Sequence, residues 1–297
     1  MISMNFRKKI SFYFILVSIV TAIQTNLYVQ PRKILVTACN DRYFKACLTL
    51  IASIHRTSLN IVDEIRVYNL GLSEQNKTVL RSLKKVKLLY FEDLKDSMPD
   101  IDIPYFYTQI RQFAWKSVCV NNSTYQDGDL IFYLDSGAIF IKSAAKIYEK
   151  IEKDEIFLVD DYWKNYQWTH FACINSMHAI ENELKAHQLC AGIQGHKRGG
   201  KYQKVFDEFY KYSSMKECIH GEHYYDYGVN IAGEHIKGHR QDQSILSILA
   251  VRYNCPIQVQ QNYIQFQLFG DNALNKGYIF VHRNNFFDHS GLKYIQA

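Results

Sequence analysis

Proline is scarce in this chain, with 4 residues in 297, and so few exclude a linker-rich or proline-repeat architecture. No basic run exceeds Arg7-Lys8-Lys9 although the net charge is +6. The charge is therefore spread thinly, which excludes a nucleic-acid-binding stripe and suits an anionic small substrate. The seven cysteines form no CxxC pair and no zinc spacing. His170, His178, His187, His220, His223, His235 and His239 likewise show no pair at helix-face ligand spacing inside a clear helix, which argues against a zinc site. No internal repeat and no low-complexity segment is present. What is present is apolar and aromatic: 47% hydrophobic residues, 22 Tyr and 18 Phe, enough for one large packed core.

The longest apolar run near the amino terminus, Ile10 to Ile23, follows Arg7-Lys8-Lys9 and is closed by Gln24-Thr25-Asn26. It falls short of the ~20 residues that cross a bilayer core and has the length of a signal-peptide apolar region. Cleavage after Ala22 would release a soluble secretory protein; retention would leave a single-pass type II anchor with its basic end in the cytosol. Residues 1–30 are thus read as a targeting segment and residues 31–297 as one globular domain. Sequons at Asn76, Asn121 and Asn122 fit a secretory route. In an oxidising lumen one or two disulfides or a set of buried thiols would both suit the cysteines, and an odd count leaves at least one thiol free.

Beyond the targeting segment, apolar runs alternate with helical periods. Lys33 to Cys39 reads as a strand, Tyr43 to Arg56 as a helix, Glu64 to Leu70 as a strand, Ser73 to Leu83 as a helix and Val86 to Phe91 as a strand. Three such units predict an α/β fold with a mostly parallel, doubly wound sheet. Lys95 to Tyr107 reads as an irregular crossing, Gln109 to Asn121 as a helix, and Asp129 to Ile141 as a buried strand that reaches a carboxylate at Asp135. Ligands of open α/β sheets sit at such strand ends. A helix over Ala144 to Lys153 and a strand over Ile156 to Val159 follow, the latter ending at Asp160-Asp161. Gln188 to Gly200 reads as a glycine-rich loop, Tyr202 to Tyr212 as a helix, and Gly221 to Gly238 as an aromatic, histidine-rich loop. Arg240 to Val251 reads as a helix with Asp242 and Gln243 in its first turn, and Tyr278 to His282 as a last strand.

The order of these pieces resembles a nucleotide-sugar glycosyltransferase of the type-A fold, closest to the family 8-like group, over Lys33 to Asn285. The residues that carry the resemblance are Lys33 to Arg42, Gln109 to Lys116, Tyr133 to Gly137, the Asp242-Gln243 helix start and the late strand ending in His282. It implies a single Rossmann-like domain that moves a sugar from a nucleoside diphosphate sugar to a glycan or glycoconjugate acceptor. By the resemblance Thr37, Asn40, Asp41, Arg111, Lys116, Asp135 and Gln194 would contact the nucleotide sugar, and Asp242 or Asp160 would lie at the transferred sugar. Asn40 and Asp41 would serve equally well as caps of the following helix.

The family motif at the strand end is Asp-x-Asp, whose carboxylates hold Mn²⁺ or Mg²⁺ against the diphosphate. Here the motif reads Asp135-Ser136-Gly137, with glycine where the second carboxylate should stand. Three readings stay open. Asp135 and His282 hold the cation; or the basic residues Arg111, Lys116, Arg240 and Arg283 stand in for it; or catalysis is lost and a carbohydrate-binding or interaction protein remains. A nucleotidyltransferase is a further class, but it would keep two metal carboxylates together.

Overall fold

The computed structural model describes residues 30–94, 110–220, 233, 235–265, 277–281 and 289–296. The chain divides at Pro31, and the account below concerns the unit from Arg32 onward. The amino-terminal segment up to residue 29, the crossing at Lys95 to Tyr107, most of the histidine-rich loop, and His282 and Arg283 lie outside the described residues.

The first half runs β1 (Lys33–Cys39), α1 (Phe44–Thr57), β2 (Glu64–Asn69), α2 (Glu74–Ser82), β3 (Val86–Leu89), α3 (Trp115–Val120), β4 (Leu130–Leu134), β5 (Ala138–Phe140) and α4 (Ala145–Asp154). The second half runs β6 (Ile156–Lys164), α5 (Phe171–Ser176), α6 (Glu181–Lys185), β7 (His187–Lys197), α7 (Gln203–Ser213), α8 (Lys216–Ile219), α9 (Gln241–Arg252), β8 (Ile257–Gln258), β9 (Ile264–Gln265) and β10 (Ile279–Val281). Seven strands form one sheet in the order β3-β2-β1-β4-β7-β6-β8, and β5-β10-β9 form a second. All neighbours in the large sheet are parallel except those of β7, which lies antiparallel to both β4 and β6.

Both faces of the large sheet are apolar, as a helix-covered parallel sheet requires. Along β4, Ile131 and Tyr133 point to one core with Val118, Phe206 and Ile245, while Leu130, Phe132 and Leu134 point to the other with Leu50, Ile54 and Ile147. The period of two that makes this alternation also puts Tyr133 and Asp135 on the same face.

Three sequence expectations need correction. The expected strand from Asp129 to Ile141 is two strands: pairing with β7 ends near Asp135, and after a turn in which the Ala138 amide donates to the Asp135 carbonyl (3.0 Å) the chain enters the small sheet as β5. The expected helix from Gln109 is broken at Phe113, whose φ of 64° no helical residue adopts; a 3-10 turn, Ile110–Gln112, precedes it and α3 follows. The expected glycine-rich loop at Gln188 to Gly200 is mostly strand β7. Its glycines answer to close packing, since a Cβ at Gly195 would lie 2.6 Å from Ile151 Cδ1.

All seven cysteines are free thiols, and all but Cys190 are buried. The sequon amides of Asn121 and Asn122 are buried and donate to Asp207 and to the Tyr68 hydroxyl, so the folded domain does not present them. Among the described residues no helix is long and apolar enough to cross a membrane.

His196 on β7 is 1% exposed and stacks on Phe206, with ring centroids 3.8 Å apart. Neither ring nitrogen has a hydrogen-bond partner among the described residues. Burial, aided by the charge of Arg198, pushes its pKa down from 6.5 to about 3. The unfolded chain therefore takes up a proton below 6.5 that the folded chain refuses until about 3, and stability falls as pH falls through that window. Removing this titration by His196→Phe is expected to lessen the loss of stability on acidification, by up to ~1.4 kcal/mol per pH unit. Calorimetric melts from neutral to acid pH check this, and an unchanged slope would exclude His196 as a source.

Candidate active site

The site starts from the turn after β4. The Asp135 amide donates to the Gly192 carbonyl at 2.9 Å, which extends the β4–β7 ladder by one residue and fixes the backbone. The side chain of Asp135 then projects on the Tyr133 face, where the Tyr133 hydroxyl donates to Oδ1 at 2.7 Å. Lys116 on α3 reaches the same carboxylate, its Nζ 3.1 Å from Oδ1 and 3.2 Å from Oδ2. The same ammonium lies 3.2 Å from Oδ2 of Asp242, in the first turn of α9. Three elements far apart in the chain thus meet at one nitrogen.

Lys116 is 4% exposed, Asp242 is 3% exposed, and the Asp135 side chain is 46% exposed. A charge so buried persists only when paired. Burial alone would push the Lys116 pKa down; Asp135 and Asp242 reverse this and hold it above the ordinary lysine value. The rings of Phe113, Tyr133 and Trp115 lie 4.9, 5.7 and 5.9 Å from Nζ, close enough for cation–π attraction. One ammonium is shared by two carboxylates, and burial disfavours the charge of the more buried one: it pushes Asp242 up to about 6 against the pull of Lys116. Asp135 is the member of the trio that faces solvent.

Beside the trio lies a second polar group, built from the strand-end Asp161 with Arg240 and Gln243. Asp161 on β6 is 7% exposed and accepts from Arg240 Nη1 at 2.6 Å and from Gln243 Nε2 at 2.8 Å. The Gln243 amide also donates to Gln188 Oε1 on β7 at 3.1 Å, and the Arg240 guanidinium lies 4.3 Å over the Trp168 ring. The sequence singles out Asp161, Arg240 and Gln243 separately; their pairing with one another is what the fold adds.

The other sequence-nominated residues lie as follows. Asn40 caps the 3-10 turn Asp41–Tyr43, accepting from the Tyr43 amide. Asp41 accepts from the Ser73 amide and from Asn76 Nδ2, both at 2.8 Å, which ties the end of β1 to the start of α2. Thr37 is fully buried in β1 and its hydroxyl has no partner among the described residues. Gln194 is fully buried in β7, donating to the Ala191 carbonyl at 2.8 Å. Arg111 is exposed on its 3-10 turn. Asp160 accepts from the Tyr162 amide at 2.8 Å and pairs with His187 Nδ1 at 3.0 Å. His282 lies outside the described residues. Lys116, Asp135 and Asp242 are brought together; Asp160 adjoins Asp161 on β6 but has other partners.

The described residues do not fit a divalent-cation centre of the Asp-x-Asp kind. Position 137 has no side chain, both Asp135 oxygens already face the Lys116 ammonium, and no group of three acidic, histidine or cysteine ligands assembles among the described residues.

No protein-family profile matches the chain, and no curated protein matches it in sequence. Solved structures do match in shape. The bifunctional glycosyltransferase WbbM aligns over 87% of this chain with a TM-score of 0.52 and 14% identity. The fold is that of a type-A glycosyltransferase. This chain spans about half of WbbM, 47% of its length. Mouse xyloside xylosyltransferase 1 aligns at a TM-score of 0.48 with 11% identity over 86% of this chain and 98% of that one. The core-mannan synthase A of Aspergillus fumigatus, in its Mn/GDP form, aligns at 0.43 with 10% identity over 75% and 70%. The trio stands at the carboxyl end of β4, the strand end at which open α/β sheets hold their ligands.

Gly192 is the backbone position on which the trio depends. A Cβ there would lie 2.4 Å from Asp135 Oδ2 and 2.9 Å from its Cγ, so any side chain must push the carboxylate off Lys116. Gly192→Ala is expected to destabilise the fold by about 1–3 kcal/mol, because the added methyl collides with Asp135 at a half-buried position, read by denaturant unfolding. A neutral substitution would mean that Asp135 is not held where the geometry puts it.

Proposed function

We propose that the chain transfers a sugar from a nucleoside diphosphate sugar to a glycan or glycoconjugate acceptor. The observation that carries this reading is the Asp135–Lys116–Asp242 trio at the carboxyl end of β4 on a type-A fold. Asp135, half open to solvent, is the acceptor for hydroxyls of the bound sugar or ribose. Lys116 offsets its charge from beneath, and Asp242, closed off from solvent, positions the ammonium. Asp161, Arg240 and Gln243 form the adjoining polar wall, with Asp160 at its edge. In the transfer the bond between the anomeric carbon and the diphosphate oxygen breaks and its electron pair leaves with the diphosphate. The new bond forms to an acceptor hydroxyl oxygen, whose proton passes to the departing diphosphate or to solvent.

The basic and apolar order of residues 7–26 supports placing this activity in the secretory pathway, either membrane-tethered as a type II protein or released after cleavage.

The test is nucleotide release and sugar transfer by the full-length chain offered a panel of nucleoside diphosphate sugars and glycan acceptors. Transfer is expected from at least one donor, and Asp135→Asn is expected to lower turnover by about a hundredfold or more, since it misplaces the bound sugar. Nucleotide binding without transfer across the panel would favour a binding protein on the same fold. Full activity of Asp135→Asn would remove the trio from the site.

A further inference from the structure

We propose that this site binds its nucleoside diphosphate sugar without a divalent cation, with the Lys116 ammonium as a built-in counter-ion between Asp135 and Asp242. The inference rests on the transferase reading for its ligand, but its geometry stands independently. A bound cation would do two things at this strand end: neutralise carboxylates and permit a diphosphate to approach them. The first task is met in part. Glycine at 137 removes one carboxylate, and Lys116 Nζ, 3.1 and 3.2 Å from the two oxygens of Asp135 and 3.2 Å from Asp242, offsets one of the two negative charges those acids carry.

The same arrangement opposes a metal. A divalent ion bound to Asp135 would face an ammonium that touches both oxygens of its ligand, and the two cations would repel at short range in a poorly screened setting. Lys116 cannot readily withdraw. It lies on a helix whose every residue is buried, among three aromatic rings, with a second carboxylate on its far side. Lysine suits this task as a compact point charge with three donors, enough to serve both acids at once. Lys116 is accordingly a positioning residue: it acts on the ligand through Asp135.

The experiment uses the full-length chain stripped with EDTA. Manganese is titrated alone and followed by the electron paramagnetic resonance signal of the free ion. UDP, GDP and their hexose conjugates are titrated calorimetrically in EDTA and again in Mn²⁺. We expect the wild type to leave manganese free, and nucleotide affinity to agree within about twofold between the two buffers. Lys116→Met, which leaves Asp135 and Asp242 facing one another unpaired, is expected to gain manganese binding, an effect that loss of packing alone would not produce. A tenfold or greater fall in wild-type affinity in EDTA, about 1.4 kcal/mol, restored by Mn²⁺, overturns the proposal. So does manganese capture by the wild type that Asp135→Asn abolishes. Should Lys116→Met not fold, as circular dichroism would show, the wild-type titrations decide alone. If no nucleotide binds in either buffer the transferase reading fails, and the manganese titrations still decide the role of Lys116.

Discussion

A buried ammonium needs partners, and the partners of Lys116 determine how the carboxyl end of this sheet is built. An ion pair taken out of water repays its desolvation only when geometry is good on every side. Here a helix after the Phe113 break, the turn after β4 and the first turn of α9 must all arrive at one nitrogen. Each is held by features that have no direct contact with a ligand. The Phe113 conformation lets a 3-10 turn and α3 meet at an angle, and the Trp115 indole closes that corner by donating to the Ile110 carbonyl at 3.0 Å. The Asp135 backbone is a continuation of the β4–β7 ladder.

The antiparallel β7 is what turns an ordinary parallel sheet into this site. By running against β4 and β6 it brings Gly192 under Asp135 and Gln188 beside Gln243. Its own interior positions bear the cost: His196 is buried with no partner for either nitrogen, and Gln194 keeps an unpartnered carbonyl oxygen among the described residues. The Asp161–Arg240 pair then locks β6 to the amino-terminal end of α9, next to Asp242. The result is a rigid polar wall with one carboxylate, Asp135, left open.

Much of the frame was legible in residue patterns, because local patterning suffices for strands buried on both faces. The units from Lys33 to Leu89, the arrival of an apolar strand at Asp135 and the helix start at Asp242 all follow from short-range signals. Lys116 could be nominated as a cation of the preceding helix, but its pairing with Asp242 could not, since nothing local links positions so far apart. The glycines of β7 read as a loop because glycine scarcity of side chain and glycine flexibility look alike in a sequence; only the neighbouring Asp135 and Ile151 side chains show that close approach is the reason. Asp41 read as a nucleotide contact or a cap, and its two hydrogen bonds to the start of α2 give it a structural task. Gln243 and Asp161 were legible as a helix start and a strand end, but their pairing emerges only where α9 packs against β6.

The central claim is that Lys116 occupies the electrostatic place of a metal at this strand end. A crystal structure of the full-length chain grown with UDP or GDP in the presence of manganese, with data collected at the manganese absorption edge, tests it most directly. The account predicts Lys116 Nζ between Asp135 and Asp242 and no anomalous peak beside Asp135. An anomalous peak within ligand distance of Asp135, with Lys116 displaced from it, would contradict the account.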